Sequence, residues 1–223
     1  MPPVLLTLLV SSLAMVLIVM IGTPMAWLLV RRRRTWFSGA VETLLLLPIV
    51  LPPTVVGFGL LLLLGRSTAF GQWLNDVAGI RLLFTWQGAV IAAAFMAFPL
   101  YVRTLAVSFG ELDPALMEIG TTLGANERQL LFWVALPLSA RGMGAGVALA
   151  FARAAGEFGA TLMVAGSIPG RTQTMPIALY EAVMAGHDSE ALLLALGLVS
   201  LTLVAVGLMT LLKTRRPWGS AGF

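Results

Sequence analysis

The chain has 223 residues, 59% of them hydrophobic and 11% charged, with a mean hydropathy of +0.95. A soluble domain carries roughly a quarter charged residues, so the missing polar surface means that lipid is the solvent for most of the outside. With no cysteine and a single histidine, His187, the chain has no disulfides and no thiolate metal site, and too few soft ligands for a zinc or haem centre. The net charge of +4 is not a nucleic-acid patch: Arg31, Arg32, Arg33 and Arg34 directly follow the first apolar run, and Lys213, Arg215 and Arg216 follow the last. Positive charge in those places flanks membrane spans on their cytoplasmic side.

Five apolar stretches, at residues 4–30, 41–64, 86–109, 142–165 and 191–212, are each long enough to cross a hydrocarbon core of roughly 30 Å, which takes about 20 helical residues. The fold predicted is an all-α integral membrane protein with about five transmembrane helices. Nothing basic precedes the first stretch, and it exceeds the apolar core of a signal peptide, so it is a permanent span. With the arginine run inside, the 31–40, 110–141 and 213–223 segments are cytoplasmic and the 65–85 and 166–190 segments are outside. Arg31, Arg32, Arg33, Arg34, Arg103, Arg128, Arg141, Lys213, Arg215 and Arg216 then fall to the inner side, against Arg66, Arg81 and Arg171 outside. That asymmetry supports an N-out, C-in orientation.

Pro24, Pro48, Pro52, Pro53 and Pro99 each remove a backbone donor, which predicts kinked helices in a packed bundle. Gly142, Gly146, Ala150 and Ala154 recur every four residues, a small-residue stripe that serves either close helix packing or a pore lining. Arg153 and Glu157 are the ions of the same span. Four residues apart, they share a helix face and pair, which lowers the cost of charge in hydrocarbon. The pair either locks this helix to its neighbours or lines and gates a path.

The 110–137 segment is too polar to span and too patterned to be a linker. Asp113 followed by Pro114 reads as an N-cap and a favoured first helical residue, and Gly124 as the left-handed residue that ends the helix. Asn126 and Gln129 read as a second capping pair, after which Leu130, Leu131, Trp133 and Val134 continue an apolar face as far as Pro137. The prediction is a cytoplasmic helix–turn–helix whose apolar faces have no core to join, and so dock on a partner. Glu118 lies within reach of Arg128 or of a basic residue on that partner.

Glu118-Ile119-Gly120, then Gly124-Ala125, then Val134, Leu136 and Pro137 resemble the "EAA" loop of ABC importer permeases. The spacing of glutamate, turn glycine and terminal proline matches throughout. Ile119-Gly120 stand where the family usually has two alanines, and Val134 replaces an isoleucine. Over nearly the whole length, the strings at 22–29, 47–57, 156–161 and 168–176 are similar to molybdate ABC transporter permeases. The Gly156–Ala160 string also occurs in sulfate permeases, so tungstate or sulfate remain alternatives to molybdate.

The resemblance implies one permease domain over residues 1–223, in a bacterial inner membrane, with 110–137 as its coupling loop. Glu118, Ile119, Gly120, Gly124, Ala125, Leu136 and Pro137 are then coupling residues that touch a cytoplasmic ABC ATPase. The chain carries no phosphate-binding Gly-Lys-Ser/Thr motif, since its only lysine is Lys213 after Leu212. It is therefore a transport subunit without a cofactor of its own, and ATP-Mg belongs to the partner. One such loop per chain and two ATPases per importer imply a homodimer around the anion path, served by a periplasmic oxyanion-binding protein. A self-contained secondary transporter is the remaining alternative, although such proteins usually show internal repeats or paired broken helices and five spans with one ion pair do not divide into halves; a membrane enzyme would need a catalytic constellation, which the sequence lacks.

The outer 166–190 segment holds a short helical pattern at 176–185, with Leu179, Val183 and Met184 on one side. It either receives the binding protein through Arg171 and Glu181, caps the outer mouth, or rests on the headgroups. His187 is expected in an exposed loop.

Overall fold

A computed structural model describes residues 1–31, 36–77 and 79–214, and the described residues form helices and no strand. Arg32, Arg33, Arg34, Arg215 and Arg216, on which the orientation argument leans, lie outside the described residues.

The first helix, α1 (Pro3–Arg31), has 29 residues with Pro24 inside it, and at 1.5 Å per residue it is about 44 Å long, longer than the hydrocarbon core. Leu6, Val10, Ala14, Ile18 and Trp27 mark its buried face. The predicted 41–64 span is not one straight helix. It divides into α2 (Trp36–Val50) and α3 (Pro53–Leu64), which meet at 111°. Pro52 is held extended at φ −54°, ψ 134° because Pro53 excludes the helical region for the residue before it, and Pro53 then opens α3 at the position proline favours.

The 65–85 segment contains α4 (Ala69–Gln72), capped by Thr68, and a π-helical turn at Trp73–Val77. The central helix α5 (Trp86–Gly110) is N-capped by Thr85. Next come α6 (Pro114–Thr122), α7 (Glu127–Gln129), a π-helical stretch at Leu130–Ala135, and α8 (Leu136–Leu138). The chain therefore does not stop at Pro137. It turns by 79° at Ser139 into α9 (Ala140–Ala155).

The predicted 142–165 span is also broken. At 16 residues α9 is only about 24 Å long. The chain leaves the helix at Gly156 and restarts as α10 (Gly159–Ala165). Two helices follow, α11 (Met175–Met184) and α12 (Asp188–Thr214). Three helices are long and apolar enough to cross a membrane unaided, and the number reaches five by length and composition when the two sharply bent pairs, Gly39–Val50 with Pro53–Leu64 and Glu127–Leu138 with Ala140–Ala155, each count as one span.

The main core lies among α1, α5 and α9, with Ala14, Trp27, Tyr101, Leu105, Phe109 and Ala150 all buried. The small-residue stripe of α9 faces α5: a Cβ on Gly142 would sit 1.7 Å from Ser108 Oγ, and one on Gly146 3.2 Å from the Tyr101 ring. Helix packing thus accounts for the stripe. The Thr23 and Tyr101 hydroxyls, 2.8 Å apart, tie α1 to α5. On the far side of α5, Gly57 brings α3 against α10, where an added Cβ would lie 2.7 Å from the Ala160 backbone.

Candidate functional site

The loop between α5 and α9 builds its shape from local hydrogen bonds. The Ala115 N–H donates to Asp113 Oδ1 at 2.9 Å and opens α6. At the other end the Ala125 N–H reaches the Gly120 carbonyl at 3.0 Å and the Gly124 N–H reaches that of Thr121 at 2.9 Å. This crossed pair closes a helix when the residue between is left-handed, and Gly124 has φ +83°. Asn126 and Gln129 then exchange backbone and side-chain hydrogen bonds at 2.8 and 2.9 Å, a complete capping box.

Gly120 is small for a different reason. A Cβ there would meet Leu130 Cδ2 at 2.5 Å, so α6 rests on the fully buried Leu130 through its bare backbone. The residues singled out in this loop divide accordingly. Glu118, Ile119 and Pro137 are exposed, while Gly120, Ala125 and Leu136 are half-buried on the inner side. The expected apolar face of Leu130, Leu131, Trp133 and Val134 divides too. Leu130 and Leu131 are buried and Val134 partly so, but π-helical winding carries Trp133 outward to 81% exposure.

The loop's ion-paired carboxylate is Glu127. Among the described residues Glu118 forms no ion pair, so of the two partners expected for it, Arg128 or a basic residue on the partner, Arg128 is not engaged. Arg31, at the end of α1, donates to Glu127 from both Nε (3.2 Å to Oε2) and Nη2, and the Trp27 indole N–H donates to the same Oε2 at 3.1 Å. The Arg31 guanidinium, chiefly, holds the Glu127 carboxyl below the usual carboxylate range; the Trp27 contact adds to this, and partial burial opposes it. In the sequence Arg31 reads only as the first of the basic run that flanks the first span. The legible signal was its spacing of four from Trp27, which sets both on one helix face.

Arg153 Nη1 donates to Glu157 Oε2 at 2.6 Å, but the two do not share a helix face, since Glu157 lies beyond the end of α9. Its second oxygen accepts the Ala160 N–H at 2.8 Å in the first turn of α10. Glu157 is thus almost fully buried with both oxygens engaged, while a third of the Arg153 side chain stays accessible. A carboxylate at a helix N-terminus is favoured by the helix dipole. The break between α9 and α10 is built around it.

At the other end of α1, the 166–190 segment is neither a loose loop nor a helix lying on the surface. Helix α11 buries Met175, Ile177, Ala178 and Ala182. The side expected to be apolar divides: Leu179 is half-buried, while Val183 is 56% and Met184 70% exposed. Packing against α1 and α12 selects the narrower face of small and branched residues. Glu181 accepts from the Gln173 amide, Arg171 is exposed, and His187 is an exposed residue 3.8 Å from Glu190. No group of three or more metal-ligating side chains occurs among the described residues.

A bent-helix bundle with a capped, apolar loop at one end defines the class. Residues 18–216 match the family described as binding-protein-dependent transport system inner membrane component, and the chain belongs to that family. It is therefore a transport subunit of the inner membrane and not a catalyst. Among its relatives, the molybdenum transport system permease protein ModB of Escherichia coli (strain K12) is 42% identical over 206 residues, covering 91% of this chain and 89% of that one. The proteins of the same name from Haemophilus influenzae and Azotobacter vinelandii are 38% identical over 194 residues (85% and 83% covered) and 37% identical over 212 (95% and 92%).

Proposed function

We propose that this chain is the permease subunit of an ATP-driven ABC importer that carries molybdate across the cytoplasmic membrane. Likeness to molybdenum transport permeases over about nine-tenths of the chain supports the substrate. The loop of α6 and α7 is the observation that carries the mechanism. Ile119 is 57% and Leu123 82% exposed on a rigid, capped element, and in an N-out, C-in chain that face meets water rather than lipid. A solvated apolar patch on an ordered loop is a docking surface. Its partner is a cytoplasmic ATPase, which binds ATP-Mg and supplies the phosphate chemistry this sequence lacks.

In this reading Glu118, Ile119, Gly120, Gly124, Ala125, Leu136 and Pro137 form the coupling loop within a single permease domain of residues 1–223. Two copies enclose the anion path, each bearing on one ATPase, and a periplasmic oxyanion-binding protein delivers the substrate. With Glu157 fully engaged, Arg153 is the partly accessible cation of the α9–α10 break, placed to pass an oxyanion without holding it tightly.

The test is Gly124→Val. A β-branched residue at φ +83° costs about 1–2 kcal/mol and tilts α6 against α7, so uptake should fall to background while the permease still inserts at normal abundance. Wild-type uptake in this variant would remove the loop from the mechanism. Competition of molybdate uptake by tungstate and by sulfate, measured in the same vesicles, ranks the three oxyanions.

A further inference from the structure

We infer that α1 is a strut between the coupling loop and the outer segment, gripping the loop through Trp27, Arg31 and Glu127 and the outer segment through Thr7. This rests on the importer reading above, and extends it to residues outside the loop motif.

An exposed ion pair by itself contributes little, and the Arg31 and Glu127 side chains are 35% and 60% exposed. This contact has more in it. The guanidinium forks onto both carboxylate oxygens and lies 5.5 Å over the Trp27 ring, and the indole N–H adds a third donor. Trp27 is buried and set edge-on against Phe109 of α5 with ring centroids 5.5 Å apart. Three donors seated on a packed aromatic pair fix a direction as well as a distance. Glu127 is also the first residue after the capping Asn126, and α6 rests on Leu130 in the same run. A displacement of the docking face therefore reaches α1 directly.

Twenty residues earlier in α1, about 30 Å along its axis, the Thr7 hydroxyl donates to the Pro3 carbonyl at 2.9 Å and accepts the Met175 N–H at 2.8 Å. Met175 opens α11, and its N–H is one of the donors a helix start leaves unpaired. Thr174, in the capping position, supplies no side-chain bond. The cap of α11 thus comes from α1. The other two apolar runs that flank α5 are broken, at residues 51–52 and 156–158, whereas α1 is one continuous helix through Pro24. Among these runs α1 carries an axial or rotational displacement over its whole length with the fewest joints.

The experiment uses the whole complex, permease with ATPase and binding protein, reconstituted in vesicles, comparing Glu127→Gln, Thr7→Val and the double variant. The readouts are basal ATP hydrolysis, hydrolysis stimulated by molybdate-loaded binding protein, and uptake per ATP. Each single variant is expected to retain basal hydrolysis and lose stimulation several-fold, with the double variant no worse than the more severe single one, because both cut the same strut. Thr7→Ser, which keeps the hydroxyl, is expected to restore stimulation. Wild-type stimulation in both single variants overturns the inference, as do losses that multiply in the double variant or a Thr7→Ser that behaves like Thr7→Val. A wild-type complex in which loaded binding protein stimulates no hydrolysis overturns the importer reading, and the strut with it.

Discussion

The two polar segments that touch opposite ends of α1 are built on contrasting plans. The loop from α6 to α8 closes both ends of α6 and the start of α7 with a residue two to five positions away: Asp113 on Ala115, Gly120 on Ala125, Asn126 on Gln129. It buries little beyond Leu130, Leu131 and Ala135. The outer segment takes its cap from Thr7, 168 residues away, and buries most of one face of α11. In the importer reading proposed above, the loop presents a surface to a partner and has to hold its shape without that partner, which local instructions allow. A segment packed inside the bundle borrows its shape from its neighbours.

The sharpest way to break this contrast is to truncate an isoleucine in each segment. Ile177 is 1% exposed and Ile119 57%. Ile177→Ala leaves a cavity and should cost about 2–5 kcal/mol, whereas Ile119→Ala should stay within about 0.5 kcal/mol while weakening ATPase capture. Thermal unfolding in mild detergent, alongside co-purification of the ATPase, measures both, and equal destabilisation would erase the distinction. Thr7→Val comes next, since it strands the buried Met175 N–H at a cost of about 1–3 kcal/mol. Proteolysis within residues 166–175 should rise in this variant and stay at the wild-type level in Thr7→Ser.

Asn126→Ala removes one half of the capping box and should cost about 1 kcal/mol. Because the instructions there are local, hydrogen exchange should quicken in α7 and leave α11 unchanged. The smallest effect is that of pH. Arg31 depresses the Glu127 pKa, so the pair's contribution is fully present above the ordinary carboxylate pKa and is lost as pH falls through the lowered one. The pair is largely exposed, so the contribution is roughly 0.2–1 kcal/mol and shrinks with salt. Glu127→Gln should be slightly less stable than wild type at neutral pH and equal to it once the pH has fallen below the lowered Glu127 pKa. A gap that persists in acid would mean the contact is not ionic.

The amino-acid sequence alone determined the membrane class, the apolar runs, and the α6–α7 turn down to its left-handed Gly124 and its capping pair. Each of these is a property of composition or of residues a few positions apart, where chain geometry leaves few choices. It also marked Pro52 and Pro53 as irregular, where α2 and α3 meet at 111°, but not that α3 would pack against α10 through Gly57. Only the tertiary structure decided which face of α11 is buried, that Glu157 serves the start of α10 from outside α9, and that Glu127 rather than Glu118 takes the loop's cation. Arg31 and Glu127 are 96 residues apart. Along the chain many basic side chains are equally eligible partners for that carboxylate, and only the packing of α1 on α5, with Trp27 against Phe109, brings Arg31 to it.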